Sequence, residues 1–503
     1  MASIKDAIFF IQNKKQQMKK VFFCLFFFQL VLSYNFAQEK LLEIPVHLKG
    51  NILSSVEHRE VVNIKGSDGK LALFLIDRNE INAVLIDKNL KTEKILNFPE
   101  PKSPAHKNTL GGIYSKGNYI IFYSSKGEKL FGTFSVNFES GKQEVNVVNL
   151  ELKKEVYIES LEMNGKFYIV SIMKHSSLIN VYEFTSAKNF IKIPYNFQDK
   201  GLPTNEYENL YSFINTNDGG FPTQGHWKIQ KIFLGTINGL DATHVSDKIY
   251  YFDNKIIFTS DKSRNATFIM VMDLNTRQPS FKTVRQGNPS EDYKKTNSFL
   301  FYDKLFQGAV NDEFVLKISD WKNNNTLKTF NFGRDDSISF KNSPIIQEGT
   351  QYGGNDAVKV LSKTKQIIRK MGSSTVAIDV NQVDSLYKIT IGSYLEWTQM
   401  RGGGGMMMGA PGYGGTYVPT YNPIYSSYGS RTHTKSAYFK SLLDAKTFEH
   451  RKGSIAKTVF DKMESFEKRI KEVAVAETIF KIDNDFIYGY YDKEVKKYIL
   501  MKF

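Results

Sequence analysis

The 503-residue chain is 41% hydrophobic and 14% aromatic, enough apolar material for two ordinary domains or one large all-β domain. Its single cysteine, Cys24, excludes a disulfide framework or a thiolate metal site. The formal charge is +15, of which residues 1–37 supply +4. Lysines scattered over solvent faces and edge strands account for a charge of this sign.

The amino-terminal region reads as an export signal. Met18-Lys19-Lys20 is basic, Val21 to Leu32 is a 12-residue apolar run, and Ser33 to Gln38 offers Ala37 before a cut. That run is short for a membrane span. Residues 1–37 are therefore expected to be a signal region, with translation starting at Met1 or Met18, and 38–503 a single domain. Cys24 lies near the start of the apolar run, not behind a small residue after it, so lipid attachment is not expected. Nucleic acid is not an expected partner of an exported chain. Anionic lipid or acidic glycan is the class a basic exported surface would meet.

Turn centres flanked by apolar runs recur at Asp77, Gly117, Gly165, Asp253, Asp303 and Asp483. The 88-residue gap after Gly165 reads as two units, with Tyr211 to Phe221 supplying a turn. The 180-residue gap after Asp303 reads as two units plus insertions. Val245 to Thr276 shows the unit best: three runs of β-branched and aromatic residues separated by Asp/Asn turns. Val84 to Thr92, Phe134 to Lys142 and Met270 to Arg277 end their units alike, with a strand, an Asp, Asn or Glu, then a turn. Several short strands per roughly 40–50 residues is the spacing of propeller blades.

The pattern resembles the β-propeller superfamily over most of residues 45–503, without a WD dipeptide series, kelch glycine pairs or repeated Asp-boxes. The Lys-Lys start, the Phe-rich run and the Asn-Phe-Ala-Gln cut also resemble exported proteins of Bacteroidota. The expected fold is all-β, a propeller of about seven or eight blades with two short helical insertions. Closure is expected to pair Val61 to Ile64 with Tyr498 to Phe503. Helices are expected over Asp356 to Met371 and over Ala456 to Val475, the latter packing on its own domain.

Arg401 to Arg431 is a Gly/Met/Tyr-rich stretch without an acidic residue. Ser385 to Trp397 and Thr434 to Leu443 flank it as strands, so it should sit at the tip of a hairpin. Met406, Met407, Met408, Tyr413, Tyr417, Tyr421, Tyr425 and Tyr428 are the candidate partner-binding residues, because adaptable Met and amphipathic Tyr suit protein surfaces.

Catalytic signals are sparse. No G-x-S-x-G elbow, H-E-x-x-H or phosphate-binding glycine loop occurs, and the eight histidines share no spacing. Asn215 to Gly220 lacks the later bidentate carboxylate of a calcium loop. Glu159, Asp241, Asp247 and Glu396 lie near apolar runs, but spacing pairs none of them as a glycosidase would require. Asp336-Ser337-Ile338 and Asp384-Ser385-Leu386 resemble Bacteroidota O-glycosylation acceptors. No catalytic residue, cofactor or metal is expected. The expected function is an exported, non-catalytic scaffold that binds an envelope or outer-membrane protein, in the periplasm, at the outer membrane or outside the cell. A secreted glycan hydrolase or lyase on the same scaffold is the alternative. An outer-membrane barrel ending at Phe503 is the third reading.

Overall fold

Runs of β-branched and aromatic residues broken by Asn, Asp and Gly turns fold here into separate antiparallel sheets. The structure, a computed structural model, describes residues 39–48, 60–77, 79–202, 207–216, 229–236, 238–287, 292–349, 358–396, 434–483 and 485–503. The described residues form thirty strands in seven sheets of four or five strands each.

Strand β1 (Glu39–Ile44) is taken up last, as described below. Blade I joins β2 (Glu60–Lys65), β3 (Leu71–Ile76), β4 (Glu80–Ile86) and β5 (Thr92–Pro99). Blade II joins β6 (Asn108–Ser115), β7 (Asn118–Ser124), β8 (Phe131–Asn137) and β9 (Lys142–Val148). Blade III joins β10 (Glu155–Met163), β11 (Lys166–Met173), β12 (Leu178–Phe184) and β13 (Phe190–Asn196). Helix α1 (Leu210–Ile214) follows. Blade IV has β14 (Ile229–Lys231) and, after α2 (Leu240–Thr243), β15 (Asp247–Phe252), β16 (Lys255–Ser260), β17 (Ala266–Asp273) and β18 (Pro279–Arg285). Blade V joins β19 (Lys295–Phe301), β20 (Lys304–Val310), β21 (Glu313–Asp320) and β22 (Asn325–Gly333).

Blade VI is wired differently. The hairpin β23 (Ile345–Glu348) and β24 (Val358–Leu361) forms its outer edge first. Helix α3 (Thr364–Ser373) then leads to β25 (Thr375–Val383), β26 (Leu386–Glu396) and β27 (Thr434–Asp444), giving the order β24-β23-β27-β26-β25. After α4 (Val459–Ile470), blade VII joins β28 (Ala474–Ile482), β29 (Asp485–Asp492) and β30 (Lys497–Lys502), with β1 as its outermost strand.

The blades stack face to face. Middle strands such as β3 and β8 are buried on both faces, whereas outer strands such as β5 and β18 are mostly half-buried or exposed. The core is accordingly divided between blades. Phe74 of blade I meets Phe134 of blade II edge-on at 6.4 Å, and Phe122 of blade II stacks on Phe167 of blade III at 4.0 Å. Gly112 on β6 lets two inner strands approach, because a Cβ there would lie 2.5 Å from Ile64 Cδ1 on β2.

Two turn types repeat. The hairpins between first and second strands place consecutive residues at positive φ: Lys116 and Gly117, Asn164 and Gly165, Asp253 and Asn254. This matches the right-handed strand twist and explains the Asn, Asp and Gly there. After the third strand of blades I, II, IV, V and VI comes Asp87, Asn137, Asp273, Asp320 or Asp444, whose side chain accepts a backbone N–H two or three residues on at 2.9–3.0 Å. A residue at positive φ then completes the turn: Leu90, Gly141, Arg277, Asn324 or Phe448. The alike endings of the sequence units are these turns.

The all-β propeller of about seven or eight blades stands, with seven sheets among the described residues. Several details differ from expectation. The ring closes through β1, whose Ile44 opposes Tyr498; Val61 to Ile64 instead open blade I. The 88-residue gap holds no extra blade among the described residues, since Tyr211 lies in α1, packed against blade III. The 180-residue gap is as expected, two periods with one blade between them, lengthened by the β23–β24 hairpin, α3, the 397–433 insertion and α4. Asp77 sits between second and third strands rather than first and second. Val358 to Leu361 is strand, not helix, because Leu361 pairs with Ile345. Four helices, not two, occur among the described residues. Separate sheets also replace the single closed sheet of an outer-membrane barrel. Helix α4 packs on its own domain, with Phe460, Met463 and Phe466 set against Tyr488, Tyr490, Ile499 and Met501 of blade VII.

Candidate functional site

The inner strands of a propeller ring are where a pocket would form, and here a segment of blade IV bonds to the inner strands of several other blades. Strand β14 runs parallel to β15; the chain then turns at Gly235, with φ +78°, and passes back along the inner strands. Gly235 O accepts from Lys481 Nζ at the end of β28 (3.3 Å). Asn238 N donates to Asp379 Oδ1 on β25 (3.4 Å). The Thr243 and His244 carbonyls accept from Asn297 Nδ2 on β19 (3.1 and 2.9 Å). Lys231 reaches Glu159 Oε1 (3.1 Å) and Ser160 O (2.6 Å) on β10. One segment thus touches blades III, V, VI and VII. Ile232, Phe233, Asn238, Ala242 and Thr243 are all buried within it.

Asn238 holds the segment's shape. Its Oδ1 accepts from Phe233 N (3.2 Å), and its Nδ2 donates to Phe233 O (3.0 Å) and Thr236 O (3.3 Å). Asp379 beneath it lies in the apolar run Thr375–Val383, and burial pushes its carboxyl up to about 7, against the Asn238 bond and the charges of Lys388 and Lys440.

A second polar cluster joins blades IV and V. Lys248 and Asp261 side chains are fully buried 3.6 Å apart. Lys248 Nζ donates to Asn297 Oδ1 (2.5 Å), while Asp261 accepts from Ser298 N (2.8 Å), Ser298 Oγ (2.7 Å) and Thr267 Oγ1 (2.5 Å). In blade III, Glu155 accepts from Ser171, Tyr182 and Lys192. Burial opposes its ionisation, but these donors hold it below the ordinary value. Each network ties a buried charge to donors on neighbouring strands, which is how a folded interior tolerates charge.

Of the acidic residues the sequence singled out, Glu159 pairs with Lys231, and Asp247 pairs with Lys262 at 2.9 Å. Asp241 lies in the first turn of α2. Glu396 ends β26 opposite Thr434. Spacing could not have disclosed the Asn238–Asp379 and Lys248–Asp261 contacts. Only Asp379 carries a signal, a charge inside an otherwise apolar run of its strand.

Met406, Met407, Met408, Tyr413, Tyr417, Tyr421, Tyr425 and Tyr428 lie outside the described residues, as do residues 1–38. The hairpin expected to carry the insertion is present. Strands β26 and β27 pair continuously from Leu386–Asp444 to Glu396–Thr434. Ser337 and Ser385 of the two tripeptides are both exposed. Among the described residues, no group of three or more His, Cys, Asp or Glu side chains is placed to hold a metal ion. No helix among them is long and apolar enough to cross a membrane.

No protein-family profile and no curated protein matches the sequence. Among solved structures, the chain is similar to Kluyveromyces lactis Hsv2 at 8% identity and a TM-score of 0.30, over 88% of this chain and 98% of that one. It is similar to the WD40 domain of SCAP from fission yeast at 12% identity and a TM-score of 0.28, over 92% and 87%. An ACO/RPE65 chimera matches at 9% identity and a TM-score of 0.27, over 56% of this chain and 63% of the chimera. Likenesses at this level decide nothing, and the architecture rests on the seven sheets.

Proposed function

We propose that this chain is an exported, non-catalytic β-propeller that serves as a protein-interaction scaffold in the cell envelope. The observation that carries the reading is the bridging of the inner strands. The strands from which a propeller hydrolase would set two carboxylates around a sugar are instead tied together by Lys231, Gly235, Asn238 and Thr243 of blade IV, which bond to four other blades. Recognition then falls to the loops, which a rigid scaffold positions. The 397–433 insertion is the largest of these, and the paired strands β26 and β27 present it. Its Met and Tyr residues, 406–408 and 413–428, are the proposed contacts, and an envelope or outer-membrane protein is the proposed partner.

The test compares affinity purification from native cell envelope using the full chain and a variant lacking residues 402–430. A defined envelope protein should co-purify with the full chain and be lost with the deletion, while the far-ultraviolet spectrum and melting temperature stay unchanged. The same partners on both forms would remove the insertion from the proposal, and no partner on either would remove the scaffold.

A further inference from the structure

Four cationic side chains converge on one side of blade VI, near where β26 and β27 lead to the insertion. Lys359 is on β24, Arg369 and Lys370 on α3, and Lys435 on β27. The fold puts them on a common side. Leu361 of β24, Ala437 of β27 and Ile367, Ile368 and Met371 of α3 share one buried cluster. Lys359 and Lys435 stand two residues from Leu361 and Ala437, so both project from that same face of the sheet. Gln347 of β23 lies between, opposite Lys359 on one side and Ala437 on the other.

Lys435, Arg369 and Lys359 are all close enough to Lys370 for their charges to disfavour its protonated form. Among the described residues, none of the four is ion-paired with an acidic side chain. Cationic side chains gathered on one side without an acidic partner among the described residues are unfavourable, and an anion between them reverses the sign of the interaction. Convergence of four cations from three elements suits a multiply charged tetrahedral oxyanion, whose oxygens can each accept from a different donor.

We infer that Lys359, Arg369, Lys370 and Lys435 form a binding site for a phosphate group, free or carried on a lipid headgroup. The inference is independent of the scaffold reading. The site has a readout of its own. Burial, then Lys435, Arg369 and Lys359, push Lys370 down to about 8. A bound anion restores its proton, so binding takes up protons above that pH and weakens as pH rises.

The experiment titrates inorganic pyrophosphate into the full chain by calorimetry, up to about 10 mM, where even a weak site fills. It is run above pH 8 in two buffers of different ionisation enthalpy. A parallel arm sediments the protein with phosphatidic acid vesicles, whose phosphomonoester is doubly charged above pH 8, and with neutral phosphatidylcholine vesicles. Proton-coupled binding, at least about tenfold weaker in Lys370→Ala and Lys435→Ala and unchanged in Lys129→Ala on blade II, sustains the site. Lys-dependent pyrophosphate binding without vesicle binding assigns it to a free phosphate, and Lys-dependent sedimentation with anionic vesicles to a headgroup. Both substitutions relieve repulsion, so melting temperatures at least equal to the parent's show that the variants are folded. Binding in neither arm, or binding that survives both substitutions, overturns the proposal.

Discussion

At the residue scale, charges that the fold buries are the sharpest handles on its energetics. Asp379 has a folded value near 7 against an ordinary 3.8. A raised carboxyl leaves its full contribution in place below the unfolded value, and that contribution is lost as pH rises through the folded one. The cost above pH 7 is on the order of 4 kcal/mol. Asp379→Asn keeps an acceptor for Asn238 N and cannot ionise. It should therefore raise the melting temperature at pH 8 and leave it nearly unchanged at pH 4; an equal shift at both would sink this account. Lys248 and Asp261 predict the opposite kind of outcome. Lys248→Met strands a buried carboxylate and should cost about 3 kcal/mol in denaturant unfolding, while Lys248→Met combined with Asp261→Leu should recover part of that loss.

At the scale of elements, what the sequence discloses depends on whether the signal is local. Turn residues and apolar runs are local, so the hairpins at Gly117, Gly165, Asp253, Asp303 and Asp483, the β26–β27 flanks and the Asp/Asn outer turns were all legible. Helix α4 was legible too, through its apolar repeat; the structure adds its cap, Thr458, whose hydroxyl accepts from Asp461 N at 3.2 Å. Phe466 packs between Tyr488, Tyr490 and Phe503. Phe466→Ala should cost about 3–4 kcal/mol, measured by urea unfolding, whereas Glu464, exposed and in a surface pair with Lys468, should tolerate alanine. Pairing between distant segments carries no local mark. Nothing in Val358 to Leu361 distinguishes an edge strand from a helix start, since the deciding partner, Ile345, lies across a hairpin. The segment through Phe233 and Asn238 carries no local mark for the same reason. Its anchors, Asp379 and Lys481, are far along the chain. The candidate partner contacts at 406–428 were legible only as composition, and their role remains a proposal for the deletion experiment.

On the scale of the whole molecule, the seven blades of the described residues are closed by the strand pairing of β1 on β30, reinforced by Lys497 Nζ to Glu43 Oε2 at 2.6 Å across 454 residues and by packing of blade I on blade VII. Removing residues 39–44 should leave six blades internally complete and expose the edge of β30. Its expected signature is a lower melting temperature together with faster proteolysis confined to blade VII; a uniform rise in cleavage would mean that the ring does not fold blade by blade. The seam also sets an order of events. A ribosome or a translocation pore delivers the amino-terminal end first, so β1 must wait, unpaired, while all the other blades emerge. Its apolar residues Leu41, Leu42 and Ile44 then need to be held or shielded for the whole transit, and long-range closure of this kind is slow. A factor that delays collapse of the newly made chain would therefore favour native yield more than one that speeds any individual hairpin.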